Sequence, residues 1–460
     1  MPSGYAFSPL PSAVAAAPGT APLVQPAAVP RRRTLPSPSH LEVACLLWTG
    51  TDTSEMKSDL SVARSSRPYG SSRVAAIDAA RGAAMLFVCL AHFTNVYHFM
   101  NGKDELGAYL VLIGMVASPT FVIVSGLVAA FLAITHRDSF PDLRRKLIDR
   151  GLFLLVVGHL VLSLSGAVGG QGFVQAYRVE YVTDAIGFAV LFGPWLVDAL
   201  SARSRLLLGA TIFALDWCAI LFWTPSDGIQ GIAKEYLVGI VAGGRWGDTA
   251  GGFAPIPWFA VYLFGTVIGQ RVGAFYKDNN RRAAHQLLGK IGTAGIACSL
   301  AVHFLTVVAQ RAVPVLMQTH PAVKHFLSIR QKFPPGPTYL CFFGGAGMLL
   351  MAVVLEADRR GVQRWLLNRL REVGQASFFA YLIQYYVYVV VFRALRLPYT
   401  QFWPLLFLVS LFPITLAARG WNAKVGNDYL SVGLWQLFER KSRRARQISD
   451  KQVAMEIPTT

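Results

Sequence analysis

The stretch AAIDAARGAAMLFVCLAHFTNVY, residues 75–97, decides how this chain folds. At 1.5 Å per residue its helix is about 34 Å long, enough to cross a hydrocarbon core of about 30 Å. Its acidic and basic side chains are confined to Asp78, Arg81 and His92. Further apolar runs at 108–135, 147–166, 179–199, 205–223, 255–273, 288–310, 338–356, 373–394 and 401–419 have comparable lengths. The expected fold is therefore all-α, a polytopic membrane bundle of about ten transmembrane helices.

Composition agrees with that reading. Of the 460 residues 53% are hydrophobic and 15% charged, and the mean hydropathy is positive, too apolar for an ordinary soluble domain. The net charge of +18 does not point to nucleic acid, because the Lys and Arg residues lie in short segments between apolar runs and in the tails, where they set orientation. Loops after spans two, four, six and eight carry roughly 5, 2, 5 and 5 basic residues, the others roughly 1, 1, 2, 4 and 2, and the C-terminal tail is again basic. This bias puts both termini in the cytoplasm and the protein in the inner membrane. Cys45, Cys89, Cys218, Cys298 and Cys341 are far apart and form no CxxC pair, so neither a disulfide framework nor a metal site is expected.

Three regions follow. Residues 1–73, rich in Ala, Pro and Ser, read as a disordered tail. Residues 74–420 form the transmembrane domain, and 421–460 a basic cytoplasmic tail. The apolar stretch 41–48 is too short to span and lacks the flanks of a cleaved secretory signal; Met56 offers an alternative start. The outward loops 224–254 and 311–337 exceed what a connection needs and can roof a site.

Charges at bilayer depth cost about 2.5–3.5 kcal/mol, so intramembrane polar residues are functional candidates. Helical spacing puts Asp78, Arg81, Gly82, Met85, Cys89 and His92 on one stripe of the first span. Asp78 and His92 are separated by roughly 21 Å of rise, so Arg81 lies near the cytoplasmic end and His92 in the outer half. That geometry suits a long donor entering from the cytoplasm, its phosphates by Arg81 and its reactive end by His92. A neutral imidazole there can serve as general base or carry an acyl group. Against this stand a plain buried histidine and a boundary ion pair between Asp78 and Arg81. Lys146 and Arg150 form a second phosphate clamp or snorkel to headgroups. Asp184, at the outer end of span four, can orient His92 as a carboxylate orients the base in acyl-transfer sites, or face water. Asp216 is a weaker candidate of the same kind. His159 points away from Arg150 and reads as structural. Residues 118–126 bring Pro119, Ser125 and Gly126 into span two, where small residues permit close helix packing.

These residues give the chain a resemblance to the heparan-alpha-glucosaminide N-acetyltransferase-like family of multi-span acyltransferases. Arg73, Ile77, Asp78, Arg81 and Gly82 resemble its R-x-x-x-I-D-x-x-R-G signature, with His92 as the downstream histidine. Pro119-Thr120-Phe121 through Ser125-Gly126, Val182-Thr183-Asp184-Ala185-Ile186-Gly187, Pro257-Trp258 with Gly265 and Gly269, and Lys332-Phe333-Pro334-Pro335 are similar to its later segments, in order over about 73–395. The resemblance implies transfer of an acyl group, typically acetyl from acetyl-CoA, to a sugar-containing or lipid-linked sugar acceptor on the periplasmic side. His92 is then the catalytic histidine. Gln384 stands where relatives often carry a histidine, and 144–150 holds no clean R-x-x-R pair. Succinyl transfer to periplasmic glucans, by a related family sharing the D-x-x-R-G start, is the close alternative. A transporter or flippase would also tolerate a polar stripe, although no internal repeat is visible. In a non-catalytic scaffold the intramembrane charges would be a needless cost.

Overall fold

The computed structural model describes residues 74–170, 172–224, 228–239, 252–312 and 321–424. The two tail assignments lie outside them, except that 421–424 continue the last helix. In chain order the helices are α1 (Ala75–Met100), α2 (Asp104–Gly114), α3 (Ala117–Thr135), α4 (Phe140–Val168) and α5 (Phe173–Tyr177). Next come α6 (Val182–Ala199), α7 (Ala202–Phe222), α8 (Ile229–Ala233), α9 (Pro255–Lys277) and α10 (Arg281–Ala312). Last are α11 (Pro321–Leu327), α12 (Pro337–Arg360), α13 (Arg364–Gln375), α14 (Ser377–Leu395) and α15 (Trp403–Lys424).

Among the described residues nine spans are long and apolar enough to cross a membrane, with α2 and α3 forming one of them. The tenth expected span is α9. Its 23 residues give about 34 Å of rise, again a bilayer's width. It is less apolar than the others because it contacts mainly protein: Trp258, Tyr262 and Leu263 are fully buried, and α3, α6 and α7 pack along it. The α3–α9 seam is built on small residues. A methyl at Gly126 would overlap the Tyr262 carbonyl, and one at Gly269 the Leu127 carbonyl. The packing role expected of Gly126 is thus what the fold uses.

Pro119 also acquires a place. Lacking an N–H, it leaves the Met115 carbonyl at the α2–α3 bend without its helical donor, and the buried Tyr339 hydroxyl of α12 donates to that carbonyl at 3.1 Å.

The helix α13 crosses α1 at near backbone contact. A methyl at Gly82 would overlap the Leu370 carbonyl, and one at Gly374 the Asp78 carbonyl. The glycine following Arg81 therefore serves packing. Gly374→Ala is expected to cost about 1–3 kcal/mol by forcing these backbones apart, read as a lower melting temperature in detergent; an unchanged melting temperature would refute the tight crossing. The last helix returns to this same end: Asn422 of α15 donates to the Glu372 carbonyl of α13 at 2.6 Å, and Trp421 stacks on Phe379 at 4.3 Å. The described chain thus begins and finishes at one end of the bundle, called here the N-terminal end.

Candidate functional site

His92 lies toward the far end of α1, half-buried inside the bundle. Its ring meets Tyr385 edge-on at 4.5 Å and Tyr381 at 6.3 Å, both from α14. Wide π turns interrupt two spans beside it, at Tyr386–Phe392 directly after Tyr385 and at Leu154–Gly158 directly before His159. Such turns rotate the following side chains relative to a regular helix and recur at functional sites.

Tyr385 in turn meets Tyr181 at 5.9 Å, and Tyr181 meets His159 at 5.7 Å. Here the expected pairing changes. Asp184 does not bond to His92; its Oδ2 lies 2.9 Å from Nδ1 of His159 and accepts the Tyr181 backbone N–H at 2.8 Å. The reason is local: Asp184 is the third residue of α6, and its carboxylate reaches back to cap that helix's first turn. His159 Nε2 donates to the Tyr177 carbonyl at 2.8 Å, so with Nδ1 on the Asp184 carboxyl group both ring nitrogens are hydrogen-bonded and the pair ties α4 to the segment 177–181. Tyr181 and Tyr385 stand between this pair and His92. Asp216 has a buried carboxylate with neither oxygen hydrogen-bonded, and the indole of the next residue, Trp217, donates to the Pro335 carbonyl at 3.2 Å.

Two loop residues overlooked as site candidates face this region. Lys332 sits over Phe253 and Phe333, 5.2 and 4.9 Å from the ring centroids, and within electrostatic reach of His92. Burial pushes its ammonium down to about 8. The turn carrying it is braced by Gln331, which pairs with His325 at 2.8 Å and donates to the Phe333 carbonyl at 2.5 Å. Glu180 precedes α6; burial first, then the charges of Asp184 and Glu235, push its carboxyl up to about 9. Near neutral pH the far end thus offers a protonated carboxyl and an ammonium as donors beside an imidazole. The described parts of both long outward loops contribute to it: Phe253 from one and Lys332 from the other. Gln384 is fully buried, donating to the Tyr381 carbonyl at 3.0 Å, with its Oε1 unpartnered.

At the N-terminal end Arg81 donates to Ser377 Oγ at 2.6 Å and lies 3.7 Å from Asp78. Lys146 is exposed and Arg150 half-buried on α4, whose first half packs mainly on α6. One turn beyond Arg150, Phe153 meets Phe378 at 6.1 Å, which brings α4 to the residue after Ser377. The folded chain thus gathers Asp78 and Arg81 at one end and His92, Lys332 and Glu180 toward the other. Among the described residues no group of three or more His, Cys, Asp and Glu could hold a metal ion.

This division suits a group moved from one end of a bundle to the other, with an imidazole at the point of transfer. No curated protein matches the chain. A family model described as an acyltransferase domain matches residues 74–418. That span takes in the whole bundle from the first residue before α1 to the last turns of α15, and the chain accordingly belongs to this family of membrane acyltransferases.

Proposed function

We propose that the protein moves an acyl group, acetyl in the first instance, from acyl-CoA at its N-terminal end to a sugar-containing acceptor at its far end, as in the heparan-alpha-glucosaminide N-acetyltransferase-like branch of the family. One observation carries the reading. His92 shares a stripe of α1 with Arg81 yet lies against Tyr385, within electrostatic reach of Lys332 at the far end. The donor's phosphates lie by Asp78 and Arg81, with Lys146 and Arg150 as the second clamp. The basic-loop bias supports an inner-membrane protein with both termini in the cytoplasm, so that the far end is periplasmic.

In the transfer His92 takes the proton of the acceptor hydroxyl or amine while that atom attacks the thioester carbonyl carbon. The C–O or C–N bond forms, the C–S bond breaks, and the CoA thiolate leaves with the proton returned by His92. Lys332 and protonated Glu180 donate to the oxygen that gains charge. A succinyl donor is the second reading, favoured by Lys332, whose ammonium can pair with the free carboxylate of a succinyl group.

The test is binding and turnover of acetyl-CoA and succinyl-CoA by the protein in detergent, with a glucan acceptor. Arg81→Ala is expected to weaken donor binding by roughly tenfold or more, the worth of a charge-assisted hydrogen bond. If folded wild type binds neither donor, the proposal fails. Lys332 adds a pH signature. Because burial lowers its ammonium to about 8, turnover falls as pH rises through that value; Lys332→Met removes this limb along with most of the rate and leaves the fall near 9 that belongs to Glu180, and a limb near 8 persisting in the variant would exclude the role.

A further inference from the structure

At the N-terminal end, the corner where α12 turns into α13 forms a half-open cavity of about 320 Å³ lined by Asp358, Arg360, Arg364, Asn368 and Arg371, with Leu367 as an apolar wall. The turn is shaped by Gly361 in the left-handed region at φ 67, and the Arg364 guanidinium lies over it. The guanidiniums here are unequally satisfied. Arg359, which also lines the cavity, and Arg360 both bind Glu356. Arg371 reaches Asp358 only at 3.8 Å, and its Nε is buried without a hydrogen-bond partner. Arg364 has no carboxylate within 4.0 Å among the described residues. Four guanidiniums thus face Asp358 and the adjacent Glu356, leaving two positive charges in excess. Crowding such an excess of like charge at one half-exposed corner is unfavourable unless an anion arrives, and planar guanidiniums match the oxygens of a phosphate in pairs.

We propose that this cavity binds a phosphate group. It belongs to none of the far-end machinery and does not depend on the acyl-transfer reading. Two sources carry that chemistry: an anionic phospholipid headgroup or a soluble phosphate ester. Helix α13 has the build of an interfacial helix, with Trp365 and Leu366 exposed beside its arginines, which places the cavity at headgroup depth. The same helix crosses α1 at Gly82 and Gly374, so an occupant that steadies α13 steadies the turn bearing Asp78 and Arg81.

The experiment is a melting-temperature and binding titration of the full chain, stripped of lipid in neutral detergent, with phosphatidylglycerol, with phosphatidylcholine as the uncharged control, and with adenosine 3′,5′-bisphosphate. Arg364→Gln/Arg371→Gln is compared with Arg281→Gln/Arg282→Gln, which removes equal charge from the exposed first turn of α10 at the same end. Binding of phosphatidylglycerol that falls about tenfold or more in the first variant and holds in the second supports the proposal and names the lipid; the same pattern with the bisphosphate alone supports it and names the soluble ester. If the double variant does not fold, Arg364→Gln alone, which breaks no ion pair, is read in its place. Equal losses in both charge variants, or no binding of either phosphate compound, overturn the proposal.

Discussion

Replacing His92 with alanine is expected to lower the turnover number by roughly 10²–10⁴-fold, the usual contribution of a positioned general base, while donor binding stays near the wild-type level. The reasoning is geometric. His92 touches Tyr385 and Tyr381 through ring edges and has no ion pair among the described residues, so its removal takes away a proton acceptor and little packing. Donor binding is assigned to residues roughly 20 Å away along α1. Single-turnover measurements with labelled acyl-CoA separate the two quantities, and a variant retaining more than a tenth of the rate would remove His92 from the mechanism. If His92 carries the acyl group itself, wild type incubated with donor and no acceptor acquires the label on protein, and the alanine variant does not.

Asp184→Ala is expected to act on stability first. It leaves the half-buried His159 without its hydrogen-bonding carboxylate, and removing one partner of such a bond typically costs about 1–3 kcal/mol. It also removes the cap on the first turn of α6 and frees segment 177–181. His159→Ala should show a loss of similar size, and the double variant far less than their sum, because both act through one contact. Thermal unfolding in detergent reads this directly. Additive losses would mean that the pair is not a unit. A loss of turnover as deep as that of His92→Ala, with melting unchanged, would restore the direct Asp184–His92 pairing expected from depth alone.

That expectation is instructive about what spacing can carry. The depths of His92 and Asp184 were legible from helical rise, and both do lie toward the far end. Which side chain Asp184 meets depends on the rotation of α6 against α1 and α4, and a π turn of five residues at Leu154–Gly158 alters the direction in which His159 leaves its helix. No hydropathy pattern encodes that rotation. Lys332 and Glu180 were hidden for another reason. Both lie in connections, where a charged residue is ordinarily solvated, and only the closing of segments 252–254 and 321–336 over the far end buries them. The one signal for Lys332 was its place in the Lys332-Phe333-Pro334-Pro335 turn, quoted for resemblance and not as a site. Conversely α9, read from its apolar run as a span, is a helix of that length but falls short of the apolarity of the nine others, because its composition reflects protein neighbours in place of lipid.

Hydropathy, run length and residue order were sufficient to establish an all-α membrane bundle and to single out Asp78, Arg81 and His92 on one face of its first helix, because a bilayer imposes length and apolarity on each span separately. Pairing His159 with Asp184, bringing Lys332 and Glu180 to the His92 end, and leaving guanidiniums in excess at the α12–α13 corner required the folded chain. Those arrangements depend on how helices distant in sequence rotate and approach, and the close approaches rest on backbone contacts such as Gly82 with Leu370 that no single segment contains.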